Sequence, residues 1–284
     1  MNDEAEIAII GGTGVYDQDA FENVKEVDVD TPFGRPADSI LLGDFEGKKV
    51  AFLPRHDRNH RYSPSMVPYR ANIFALKKLG VERIISVAAA GSLREEIHPL
   101  DIVIPSQLFD HTKLRKNSFF EDIVIHAGMA EPFCPQLLSI AEEVTKELGY
   151  NYHSGKTYVC MEGPQFSTKA ESFVYRQLGF DIIGMTASPE AKLAREAEIC
   201  YITIATVTDY DVWKEEHVDV ATVVENAAKN EEKVRNILRK LVPDIPDSRE
   251  CDCDSSLQYA IITRPSEISE EVREKLYLLI GKYI

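Results

Sequence analysis

Glu6-Ile7-Ala8-Ile9-Ile10-Gly11-Gly12-Thr13-Gly14 is the stretch whose reading decides the fold. Its apolar, β-branched first half reads as a buried strand. The glycines that end it let backbone N–H groups approach an anion closely, and Thr13 adds a hydroxyl. A tight strand-to-loop turn explains the glycines equally well. The segment is not a dinucleotide fingerprint, because the third glycine of a Gly-x-Gly-x-x-Gly frame would fall where Asp17 stands. The Lys-Ser/Thr ending of a triphosphate loop is also missing.

Outward from this strand the pattern alternates. Lys49 to Leu53, Arg83 to Val87, Asp101 to Ile104, Thr157 to Met161 and Glu198 to Val207 are strand-like. Pro68 opens a helical stretch carrying Ile73, Leu76 and Leu79 and closed by Gly80, and Gln136 to Leu148 is an amphipathic helix. Ser188-Pro189-Glu190 is a helix start with a capping hydroxyl, a proline at the first helical position and an acid at the positive end of the dipole. Asp219 to Leu241 is a long helix. Strand followed by helix, repeated, makes this an α/β chain with a largely parallel or mixed sheet. Pro243 to Ser256 reads as a linker, and Ser266 to Ile284 as one amphipathic helix. The expected organisation is one domain over 1–242, with 243–284 as a linker and terminal helix rather than a second domain.

The formal net charge of −15 argues against a nucleic-acid groove, which needs clustered Lys and Arg. An acidic start and short apolar runs argue against a signal peptide or a membrane span, so a cytoplasmic protein is expected. Of five cysteines, Cys134, Cys200 and Cys160 sit singly in apolar surroundings and read as core. Cys251-Asp252-Cys253 offers too few ligands at too tight a spacing for a metal. Two surface thiols, a strained disulfide or a redox pair remain as readings of it.

Four more segments carry candidate chemistry. Arg55-His56, at a strand end, suits the grip of a phosphate. His56 and His60 lack a third metal ligand, so no metal is expected there. Phe166 in Glu162-Gly163-Pro164-Gln165-Phe166-Ser167 can stack on a heterocycle, and Glu162 can accept from sugar hydroxyls; a polar loop is the plainer reading. Met185-Thr186 precedes a helix N-terminus, which favours anions. Thr208-Asp209-Tyr210-Asp211 puts two acids at the carboxyl end of a buried strand, where α/β sites occur. A sheltered carboxyl there can carry a proton to a leaving purine. A pair of exposed loop acids is the alternative.

Taken in order, these segments resemble the methylthioadenosine phosphorylase branch of the trimeric purine nucleoside phosphorylases. The resemblance also rests on Asp30-Thr31-Pro32-Phe33-Gly34, Gly91-Ser92-Leu93-Arg94, Met129-Ala130-Glu131-Pro132-Phe133-Cys134 and Pro189-Glu190, and it runs from about residue 6 to about residue 242. It implies a single α/β domain with a mixed, partly barrel-like sheet surrounded by helices. The assembly implied is a homotrimer or a dimer of trimers. Thr13, Arg55, His56, Ala88, Ala89 and Thr186 then resemble phosphate-site residues, Met185 lies under the ribose, and Phe166, Ser167, Asp209, Tyr210 and Asp211 resemble the purine site. His126 matches a histidine lent to a neighbouring subunit. Asp209 and His56 take the catalytic roles, and Ser167 with Val220, Val223 and Val224 sets specificity. The implied reaction is phosphate-dependent cleavage of 5′-methylthioadenosine, with no metal or organic cofactor. A phosphorylase of 6-oxopurine nucleosides is the nearest alternative. A nucleoside-binding protein without turnover and an NAD-dependent dehydrogenase are more distant ones. Asp57 stands where the family usually has a glycine, and it is compatible with a phosphate only if its carboxylate points away.

Overall fold

The strand Ile7–Gly11 (β1) lies near the middle of a nine-stranded sheet. The computed structural model describes residues 4–16, 20–214 and 220–284, without the side chain of Thr13. The strands are β1, Phe21–Val27 (β2), Ile40–Phe45 (β3), Lys48–Pro54 (β4), Arg83–Ser92 (β5), Ile102–His111 (β6), Tyr152–Met161 (β7), Ile182–Gly184 (β8) and Cys200–Asp209 (β9). Their order is β2-β3-β4-β1-β5-β8-β7-β6-β9, and β9 pairs back onto β5. Strands β5, β8, β7, β6 and β9 therefore close into a five-stranded mixed barrel, with β1, β4, β3 and β2 extending one wall. The α/β class and the partly barrel-like sheet match the expectation.

Among the described residues six helices cover the sheet: Tyr69–Lys78 (α1), Pro135–Glu147 (α2), Lys169–Gln177 (α3), Ala187–Glu196 (α4), Val220–Asp244 (α5) and Glu270–Ile280 (α6). The uninterrupted apolar run of β1 has a simple cause. Ala8 and Ile10 pack into the core with residues of α1, α4 and α6, while Ile7 and Ile9 pack on the other face with residues of α2 and α5. A strand covered on both faces has no polar side to alternate with. Among the described residues no helix is long and apolar enough to cross a membrane.

Strands β2, β3 and β8 have no counterpart in the sequence reading. A register shift between Glu22 and Lys25 breaks the alternation of β2. The β3–β4 hairpin turns on Glu46-Gly47, with φ of 48° and 80°, the handedness such a two-residue turn needs. The terminal helix is shorter than Ser266 to Ile284, because Pro265–Glu267 forms a separate 3-10 turn and Ser269 caps α6 through Val272. Ser188 is extended (φ −109°, ψ 136°) and interrupts the first turn of α4, for which Thr186 is the N-cap.

Residues after α5 pack onto the domain. Leu257, Ala260, Ile268, Leu276 and Leu279 belong to the same core as α1, and buried Arg83 donates to the carbonyls of Pro246 and Asp247. The Cys251–Cys253 pair is not a pair of surface thiols. Cys253 is buried, and the fold brings Cys134 and Cys200 beside it. The ligand count of two, which argued against a metal, thus becomes four once the chain is folded.

Candidate active site

Strand β1 runs parallel to β4 and β5, and β5 runs parallel to β9, so their carboxyl ends converge. A cavity of about 410 Å³ opens there, at the strand ends where α/β folds place ligands and within the size range of small-molecule sites. Gly12 and Gly14 line it from the β1 loop, Arg55 and His56 from the end of β4, Ala88 to Gly91 from β5, and Asp209 and Asp211 from the end of β9. The loop before α4 adds Met185 and Thr186, and Phe166 stands at the wall with 42% exposure, an uncovered ring able to stack. The sequence reading of Thr13 concerns a side chain outside the described residues.

Arg55 is almost wholly buried and is not a free phosphate grip. Its Nε and Nη2 donate to the two carboxylate oxygens of Glu190 at 2.8 and 3.0 Å, Nη2 also to Ser86 Oγ at 2.6 Å, and Nη1 to the Val87 carbonyl at 3.0 Å. Four of its five N–H donors are thereby engaged. Burial opposes the guanidinium charge and the Glu190 carboxylate restores it, so its pKa is raised. Glu190, read from sequence as an acid at a helix start, is fully buried and also accepts from Ser86 Oγ and Tyr201 Oη. A buried charge needs such a partner.

His56 makes a 2.8 Å hydrogen bond between Nδ1 and the Tyr62 carbonyl and stacks on His60 with ring centroids 4.6 Å apart. Burial, and then the charge of Arg55, push its pKa down to about 4. Neutral, with Nδ1–H donated to a carbonyl, it presents Nε2 as an acceptor. Asp57 has φ +73°; its carboxylate accepts from the Asn59 N–H at 2.6 Å and pairs with Arg61 at 3.2 Å. It is not on the cavity wall, so this acid does point away.

The two acids of β9 differ. Both oxygens of Asp209 accept hydrogen bonds, Oδ1 from the Asp211 N–H and Oδ2 from Thr208 Oγ1, each at 2.7 Å. Asp211 is buried, and its Oδ2 has no hydrogen-bond partner among the described residues. Burial raises its pKa, and the charge of Asp209 adds to the shift. Gly91 permits this arrangement, since a Cβ there would lie 2.8 Å from Asp209 Oδ1. The acids are not an exposed loop pair.

Glu162 is held away from any sugar. It accepts from the N–H groups of Lys113 and Leu114 at 2.5 and 3.0 Å, from Arg115 Nε at 3.1 Å and from Ser65 Oγ. Burial raises its pKa, and these bonds overcome that to leave it at about 2. Arg115, unremarked in the sequence, also donates to the carbonyls of Met185 and Ser188 at 2.6 Å. It is a clamp that fixes the Met185-Thr186 segment.

Not every candidate reaches this cavity. Ser167 is buried, with Oγ 3.5 Å from Met161 Sδ, and Tyr210 packs edge-on against Trp213 with Lys214 Nζ 3.6 Å from its ring centre; neither lines the wall. His126 is exposed and off the wall of its own chain's cavity. On α5 only Val223 of the three valines lines the cavity, while Val220 and Val224 are 66% and 61% exposed. Positions 220, 223 and 224 share a face, but the wall follows Val223, Ala227, Asn230, Glu231 and Val234. His217, close to these valines in sequence, lies outside the described residues. Asn230 and Glu231 went unnoticed because a polar residue on a long amphipathic helix looks like its solvent face. The spacing of Val223, Ala227, Asn230 and Val234 is the signal that marks one stripe.

Residues 6–243 match the phosphorylase superfamily. An S-methyl-5′-thioadenosine phosphorylase of Koribacter versatilis is 52% identical over 99% of this chain and 97% of its own length, so the likeness includes the terminal helix. One from Nitrosopumilus maritimus is 53% identical over 92% of this chain and 99% of its own. Among solved structures, a methylthioadenosine phosphorylase from an Antarctic soil metagenomic library superposes with a TM-score of 0.93 at 46% identity, covering 98% of this chain and 99% of that one. A Schistosoma mansoni adenosine/methylthioadenosine phosphorylase variant, solved with methylthioadenosine, gives 0.85 at 36% identity over 91% and 99%. The chain belongs to the phosphorylase superfamily, in its methylthioadenosine phosphorylase branch.

Proposed function

We propose that this protein cleaves the N-glycosidic bond of 5′-methylthioadenosine with inorganic phosphate, giving adenine and 5-methylthioribose 1-phosphate. The observation that carries the reading is that one cavity is lined both by Arg55, His56, Ala88, Ala89 and Thr186 and by Phe166, Met185, Asp209 and Asp211. The first set suits an anion, the second a purine nucleoside. Phosphate is the co-substrate, and the chemistry calls on no metal or organic cofactor.

Phosphate sits against the β1 loop, the β5 backbone and Thr186, with the one unengaged N–H of Arg55 as a further donor. Neutral His56 offers Nε2 as an acceptor for the hydrogen bond of the P–OH of monohydrogen phosphate, which keeps its proton. The C1′–N9 bond breaks with its electron pair leaving on the base, and Asp209 supplies or shares with Asp211 the proton that N7 gains. The ribosyl cation that develops is stabilised by the phosphate charge. A phosphate oxygen then bonds to C1′ on the face opposite the departing adenine, over Met185. Val223 supplies an apolar wall for the 5′-methylthio group, where a hydroxyl would lose its water without a partner.

The working assembly proposed is a cytoplasmic homotrimer, or a dimer of trimers, in which His126 serves the neighbouring subunit's site. Its exposure and its place off its own chain's cavity support that reading. The test compares methylthioadenosine, adenosine, inosine and guanosine at matched phosphate. Methylthioadenosine is expected to show the highest kcat/KM, and more efficient cleavage of inosine would make this a 6-oxopurine phosphorylase.

A further inference from the structure

Four of the five cysteines, Cys134, Cys200, Cys251 and Cys253, meet at one point away from the cavity, with all four sulfurs within 4.8 Å of one another. Sγ of Cys251 lies 3.6 Å from that of Cys134 and 3.4 Å from that of Cys200. Tetrahedral zinc with four thiolates at about 2.3 Å has sulfur–sulfur edges of about 3.8 Å, against about 2.05 Å for a disulfide.

Three separate parts of the fold build this cluster. Cys134 is the N-cap of α2, anchored by its N–H to the Tyr201 carbonyl at 2.9 Å. Cys200 opens β9, anchored to the Glu82 carbonyl at 2.9 Å. Cys251 is extended and is followed by a 3-10 turn over Asp252–Ser255. Residues two apart in a strand share a face but stand about 7 Å apart; the turn shortens that separation, so both sulfurs reach the same point. Cys134, Cys200 and Cys253 are buried, and Arg195 Nη1 lies 3.7 Å from Cys253 Sγ, where a cation offsets thiolate charge. The start of α2 favours a thiolate at Cys134 for the same electrostatic reason.

We propose that these four cysteines form a closed zinc site that fastens the segment after α5 to α2 and β9. All-sulfur ligation selects a soft or borderline metal, and four protein ligands leave no open position, so the metal's role is structural. Binding replaces S–H bonds with S–Zn bonds and releases one proton to solvent per thiol deprotonated. No sulfur changes oxidation state.

The full-length protein, purified under reducing conditions and loaded with zinc, is expected to retain one zinc per chain after gel filtration. Its four cluster thiols should resist a thiol reagent until a strong chelator removes the metal. Cobalt loading should give the intense visible bands of a tetrahedral thiolate site. Cys253→Ser is expected to abolish stoichiometric binding and lower Tm, with methylthioadenosine cleavage at ambient temperature retained. If that variant does not fold, the cobalt spectrum of the unaltered protein decides. Substoichiometric zinc with all four thiols freely titratable, or disulfides among these cysteines in the protein as isolated, would overturn the proposal.

Discussion

Asp211 donates its backbone N–H to Asp209 Oδ1 at 2.7 Å, while its own carboxyl is buried with one oxygen unpartnered among the described residues. The acid pair is therefore asymmetric. Asp209 accepts a hydrogen bond at each oxygen, and Asp211 is pushed by burial, and by its neighbour's charge, toward keeping a proton that the pair can share.

That asymmetry gives a pH dependence. A carboxyl whose pKa is raised holds its proton at low pH and loses it as pH rises through the raised value. Turnover of methylthioadenosine is expected to fall on that limb. Asp211→Asn should flatten the limb, and Asp209→Ala should cost about 10²–10⁴-fold in kcat with little change in the KM for phosphate. A pH–kcat profile unchanged by Asp211→Asn would place the proton elsewhere.

Arg55 and Glu190 make a second prediction, for stability as well as activity. Arg55→Ala leaves Glu190 buried without its cation, a loss of about 3–5 kcal/mol. Replacing both, as Arg55→Met with Glu190→Leu, should restore much of that stability while leaving phosphate use impaired. Urea unfolding of the two single variants and the double variant measures this. An Arg55→Ala protein as stable as the parent would contradict the pairing.

Asp57 occupies a left-handed conformation that glycine adopts without penalty. Asp57→Gly is expected to raise stability by up to about 1 kcal/mol, the strain relieved being partly offset by the lost contacts to Asn59 and Arg61. The KM for phosphate should stay near its original value, because this side chain is off the cavity wall. A large rise in that KM would show that the loop geometry depends on the carboxylate.

Position 223 tests the 5′ pocket. Val223→His puts a polar ring on the apolar wall and is expected to harm methylthioadenosine cleavage more than adenosine cleavage. Val220→His, at an exposed position, should leave the ratio of the two unchanged. Equal losses on both substrates from Val223→His would refute the placement.

These residues also show what was legible in the sequence. The strand run of β1 and the acids after β9 announce themselves, since a long apolar run followed by a polar residue marks a strand end. Ordered motifs likewise led to Arg55-His56, Met185-Thr186 and Phe166. Side-chain partnerships did not show. Glu190 as the counter-ion of Arg55, and Arg115 as the clamp on Glu162, join residues 135 and 47 positions apart. No local pattern encodes such a distance. The cysteine cluster was hidden for the same reason, because two of its members look like ordinary core residues until β9 and α2 are placed side by side. The exact stripe of α5 that faces the cavity depends on helix phase, which spacing alone constrains only to a neighbouring set of positions.

The most direct test of the central claim is the phosphate requirement itself. The rate of adenine release from methylthioadenosine is measured with enzyme freed of bound phosphate, before and after phosphate is added, and the sugar product is identified. The expected result is negligible release without phosphate, and with phosphate one methylthioribose 1-phosphate formed per adenine. Equal release in phosphate-free buffer, with free methylthioribose as the product, would make the protein a hydrolase and contradict the account.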